Sequence, residues 1–206
     1  MLYWKQLENT GGDIMELELP NLFGEKGSER DIVSFDELRA LFWRRKKGGR
    51  GYFPGKMPTL DGVDPKKYFL FPMLSLTLRD LFDKFRELFL STSWSWQTYD
   101  FANILSEPSY WFLVAKRPLR FDSDWEERLE KDSGELIRLM SAREIVEVLL
   151  YFRISRGTWP FKGCLFLSRN KADFKNVAVQ VTVSGLLLTK QEAGTVPAYV
   201  WPSQRP

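Results

Sequence analysis

"NVAVQVTVSGLLLTK", residues 176–190, alternates Val177, Val179, Val181 and Val183 with smaller or polar residues and then, after Ser184-Gly185, resumes with three leucines. Period-two apolar spacing rich in β-branched residues is the signature of a half-buried strand. Ser184-Gly185 reads as a tight hairpin turn, because glycine accepts positive φ. "GCLFLS" (163–168) supplies another strand, so the C-terminal third is expected to form a small antiparallel meander.

Upstream the period changes to that of helices. Ser141 and Glu144 form a capping-box signature ahead of "AREIVEVLLYFRIS", where Ile145, Val148, Leu149 and Phe152 make an apolar stripe and Gly157 marks the stop. Thr77 and Asp80 open a second helix with Leu78, Leu81, Phe82, Phe85, Leu88 and Phe89 on one face. Ser34 and Glu37 open a third, ending near Lys47 before Gly48-Gly49. Shorter helices are expected around 97–105 and 122–132, and strands at 14–20 and 109–115. The stretch 48–72, with five glycines and four prolines, reads as a long Gly/Pro-rich loop. Residues 191–206 show no clear periodicity and read as an irregular tail pinned by Tyr199, Val200 and Trp201. The expected fold is α+β: a single domain over 1–206, with about three main amphipathic helices packed on a small antiparallel sheet that includes the C-terminal β-meander.

Composition narrows the chemistry. The 206 residues contain no histidine, which removes the usual general base at neutral pH, the commonest zinc ligand, and any Ser-His or Cys-His nucleophile pair. The single cysteine, Cys164, cannot form an internal disulfide and reads as a buried small hydrophobe. No N-terminal apolar segment reads as a secretory signal and no stretch approaches a transmembrane span, so a cytoplasmic protein is expected. "GGRGYFPGKM" fails as a phosphate loop, since Arg50 stands where the first glycine of a Walker A motif belongs and Met57 where the magnesium-binding hydroxyl belongs. Gly49, Gly51 and Gly55 miss the dinucleotide spacing by one residue. Asp122, Asp124 and Glu126 lack the glycine and terminal glutamate of an EF-type calcium loop, and Asp61 and Asp64 read as turn residues. No catalytic residue, metal site or cofactor is expected.

What remains is charge. "LFWRRKKGGRGYFPGK", residues 41–56, holds six basic side chains and no acid, although the whole chain has a net charge of only +3. Cations in a last helical turn complement the helix dipole, but one or two suffice for that. Four consecutive cations repel one another, and a polyanion relieves that repulsion. The expectation is a non-enzymatic protein binding RNA or single-stranded DNA, with Arg44, Arg45, Lys46, Lys47, Arg50 and Lys56 on phosphates and Tyr52 and Phe53 stacking on bases. The alternatives are a solvated loop on a protein-interaction or structural module, or docking to an acidic protein partner or an anionic membrane surface. Trp94 and Trp96 in "STSWSWQTY" would share a face if extended, as a stacking or partner contact; otherwise they close the core beneath the 78–89 helix.

Overall fold

The computed structural model describes residues 58, 67–104, 110–121, 137–192 and 198–204. The expected strand at 14–20, the helices at 34–47 and 122–132, and the basic segment 41–56 lie outside these residues. Within them the fold is α+β, with two sheets and helices between and beside them.

One sheet has four strands. β1 (Tyr68–Met73) pairs antiparallel with β2 (Tyr110–Ala115), whose other edge takes β9 (Pro202–Gln204), and β9 in turn pairs with β4 (Ile137–Leu139). The second sheet runs β3 (Leu119–Arg120), β8 (Tyr199–Val200), β5 (Leu165–Ala172), β6 (Lys175–Val181) and β7 (Leu186–Gln191). β5, β6 and β7 form the expected antiparallel meander, whereas β5 and β8 run parallel. The 110–115 strand belongs to the other sheet.

Helix α1 (Leu78–Lys84) and the four-residue α2 (Asp100–Asn103) pack on each other, and α3 (Ala142–Arg156) lies against β1, β5 and β6. Thr77 caps α1, accepting the Asp80 N–H at 3.0 Å while the Asp80 carboxylate accepts the Thr77 N–H at 2.8 Å. Ser141 and Glu144 close the same reciprocal pair on α3, and Gly157, at φ 71°, ends it in the left-handed conformation.

Three expectations change. The helix predicted across 78–89 stops at Lys84 and continues as a 3₁₀ turn, Arg86–Leu88. The cause is tertiary: Phe89 bridges to Leu186, and the Leu90 N–H donates to the Leu186 carbonyl at 2.8 Å, so the chain leaves the helix to join β7. Gly185 serves that crossing. A Cβ there would stand 2.7 Å from the Leu88 carbonyl oxygen, so close approach rather than positive φ explains the glycine, and residues 182–185 form a loop closed by the Thr182 N–H on the Gly185 carbonyl.

Helix α3 is not amphipathic. Every residue from Ala142 to Phe152 is buried, because sheets cover it on more than one side. Of the three main amphipathic helices expected, one lies outside the described residues, one is cut to seven residues and one is buried all round.

The segments expected to be irregular carry strands. Residues 68–72, assigned to the long loop, lie in β1; Pro72 fits there opposite Trp111 because, among the described residues, β1 is at the edge of its sheet, where a missing N–H is tolerated. The C-terminal tail contributes β8 to one sheet and β9 to the interior of the other. Between them Trp201 is fully buried, donates its indole N–H to the Ala115 carbonyl at 2.7 Å, stacks on Phe166 and meets Phe161 edge-on. Cys164 is buried as expected, and burial pushes its thiol up to about 11, which keeps it protonated at neutral pH.

Candidate functional sites

The sequence-predicted contacts Arg44, Arg45, Lys46, Lys47, Arg50, Tyr52, Phe53 and Lys56 lie outside the described residues, as do Asp61, Asp64, Asp122, Asp124 and Glu126. Trp94 and Trp96 are described, and the structure separates them. Trp96 starts a 3₁₀ turn (Trp96–Thr98), is buried, and meets Phe82 edge-on at 5.2 Å and Phe89 in a stacked arrangement. Trp94 is half-buried. Its indole N–H donates to the Leu188 carbonyl at 2.9 Å, its neighbours are Tyr99 and Phe101, and the Lys190 ammonium sits 4.9 Å above its ring.

Lys190 belongs to a small surface cluster. Asp173 accepts from the Tyr99 hydroxyl at 2.6 Å and from Lys190 at 2.7 Å. These donors hold the Asp173 carboxyl below its ordinary range, Lys190 first and Tyr99 next; the bond to Asp173 raises the Tyr99 phenol. Asp173 occupies the two-residue connection between β5 and β6 together with Phe174. Both have positive φ, 50° and 64°, as a type I′ turn demands. The Phe174 ring is fully exposed. Lys171 and Lys175 flank the turn in exposed positions, with Lys175 paired to Glu192 at 2.8 Å.

A second cluster is buried where α3 begins. Glu144 accepts the Tyr110 hydroxyl, Arg138 at 2.6 Å and the Ser141 N–H at 2.6 Å, with Arg169 at 3.7 Å. Burial opposes ionisation, but the charges of Arg138 and Arg169 outweigh it, so the Glu144 carboxyl lies below its ordinary value; burial and the Glu144 charge raise the Tyr110 phenol. One turn on, Glu147 accepts the Leu74 N–H at 2.8 Å and Arg143 at 3.2 Å, while Arg143 also donates to the Leu74 carbonyl. Here burial prevails over a single arginine, and the Glu147 carboxyl is pushed up to about 7.

Of these charged side chains the sequence pattern singled out only Glu144, as the capping-box partner of Ser141; Arg138, Arg143, Glu147 and Arg169 carry no local signal. The missed surface residue, Phe174, had a local signal: two strand-like runs separated by a two-residue Asp-Phe step. Chemically, the buried cluster ties α3 to β2, β4, β5 and Leu74, the residue that follows β1. Among the described residues no group of three or more Cys, Asp or Glu side chains is placed to hold a metal ion, and no helix is long and apolar enough to cross a membrane. No protein-family model, curated protein or solved structure matches the chain.

Proposed function

We propose that the chain is a non-enzymatic binder of single-stranded nucleic acid, RNA or single-stranded DNA, acting through segment 41–56. The observation that carries this reading is the run Arg44-Arg45-Lys46-Lys47, followed by Arg50 and Lys56 among glycines with Tyr52 and Phe53, with no acid in the segment. Helix-dipole compensation does not call for so many like charges, whereas a phosphate backbone does. Glycines allow close approach to that backbone, and the two rings suit sequence-tolerant stacking.

The test is a titration of the full chain against labelled single-stranded RNA, single-stranded DNA and duplex across a salt series. It is run beside a variant with Arg44, Arg45, Lys46 and Lys47 all changed to Ser. If all six cations displace counterions from a single strand, log K falls with log salt at a slope of roughly −4, and the variant has a shallower slope and weaker binding. Absence of binding by both folded proteins overturns the reading.

A further inference from the structure

The β5–β6 connection combines features that folding alone does not require. Type I′ turns favour Asn-Gly because both central residues need positive φ, and a bulky residue at the second position is strained. Phe174 occupies that position at φ 64°. Its ring is fully exposed, so it returns no burial in compensation. The turn is nevertheless positioned: one oxygen of the Asp173 carboxylate, Oδ2, accepts from both the Tyr99 hydroxyl and Lys190, which itself rests over Trp94. The result is a bare aromatic ring presented at a turn whose other central residue, Asp173, is hydrogen-bonded to Tyr99 and Lys190.

The surrounding charge selects the partner. Exposed Lys171 precedes the turn and Lys175 follows it, while the nearby acids Asp173 and Glu192 are each engaged by a lysine at 2.7 and 2.8 Å. Lys171 makes no ion pair among the described residues. A protein hot spot would place the ring among apolar neighbours that exclude water, and here the flanking positions are charged. Insertion into a lipid surface would carry the Asp173 carboxylate into the headgroup layer along with the ring. Stacking on a base needs an open ring face with cations a short distance away, which is the arrangement present.

We propose that the β5–β6 turn is a second contact for single-stranded nucleic acid, with the Phe174 ring stacking on a base and Lys171 pairing with an adjacent phosphate. This rests on the reading of segment 41–56 given above. The ring touches no core residue, so its replacement leaves the fold intact, and circular dichroism checks this directly.

The experiment measures binding of the full chain to a fluorescent twelve-nucleotide poly-U RNA and to the matching DNA over a salt series. The proteins are wild type, Phe174→Ala, Phe174→Trp, Lys171→Ser and the 44–47 serine variant. The expected result is a loss of about 5- to 150-fold for Phe174→Ala with an unchanged salt slope, recovery with Phe174→Trp, and a shallower slope for Lys171→Ser. Wild-type binding that Phe174→Ala leaves intact overturns this contact while the 41–56 reading stands. Failure of the wild type to bind either oligonucleotide overturns both. Phosphatidylserine vesicles are the control: vesicle binding lost in Phe174→Ala, with oligonucleotide binding unaffected, overturns the proposal in favour of a lipid surface.

Discussion

Glu144 and Asp173 are built alike and placed in opposite solvents. Each carboxylate accepts a tyrosine hydroxyl and a cation, from Tyr110 and Arg138 in the first case and from Tyr99 and Lys190 in the second. Glu144 is buried at the start of α3, and Asp173 stands exposed at a hairpin tip. In water such a grouping fixes geometry at little net gain, because solvent screens the charges and competes for the donors. Inside the protein the same grouping becomes obligatory, since any member removed leaves another desolvated and unpartnered. One motif therefore serves as a structural joint in one region and as a positioning brace in the other.

The sharpest way to break the comparison is to delete each carboxylate. Glu144→Ala removes the acceptor from Tyr110, Arg138 and the Ser141 N–H together and is expected to cost about 3–5 kcal/mol in urea denaturation. Asp173→Ala is expected to leave the urea midpoint within error of wild type. Equal losses in the two variants would mean that burial is not what distinguishes them.

Glu147 sharpens the contrast within the buried region, because it is as buried as Glu144 but has one arginine instead of two and no tyrosine. Its folded carboxyl, at about 7, lies above the unfolded value, so the folded state binds more protons than the unfolded state between roughly pH 4.5 and 7. Stability from this group is fullest below that window and declines as pH rises through it. Wild type is therefore expected to lose stability relative to Glu147→Gln from pH 5 to pH 7.5, measured by urea midpoints at each pH. Glu144 acts in the opposite sense, contributing above its unfolded value and losing that contribution as pH falls. A midpoint difference between wild type and Glu147→Gln that stays constant with pH would contradict the assigned direction.

What the sequence revealed of this architecture follows from the range of the forces involved. The meander, the capping boxes of α1 and α3 and the stop at Gly157 were legible because each depends on residues within a few positions of one another. The end of α1 at Lys84 was not, because it depends on Leu186, about a hundred residues away. Nor was the entry of the C-terminal tail into both sheets, since residues 199–204 are too short to show a period and are fixed by Trp201 packing on Phe166 and Phe161. Of the candidate site, the 41–56 charge pattern could be read from composition alone. The Asp173–Tyr99–Lys190 brace could not, because its members are far apart in the chain and meet only once β5, β6 and β7 align.

A substitution expected to stabilise the fold slightly is a demanding test of what the hairpin tip is for. Phe174→Gly removes a side chain that touches no core residue and replaces a strained left-handed residue with the one that accepts that conformation freely. Relief of the backbone is worth about 1–2 kcal/mol and the added chain entropy of glycine offsets about 0.5–1 kcal/mol of it, so a net gain of about 0–1.5 kcal/mol is expected in urea denaturation. A stabilised variant that has lost affinity for poly-U RNA would show stability and binding pulling this position in opposite directions, which is expected of a residue kept for contact rather than for folding. A destabilised variant would instead mean that the ring supports the hairpin, and the fully exposed phenylalanine would then belong to the fold.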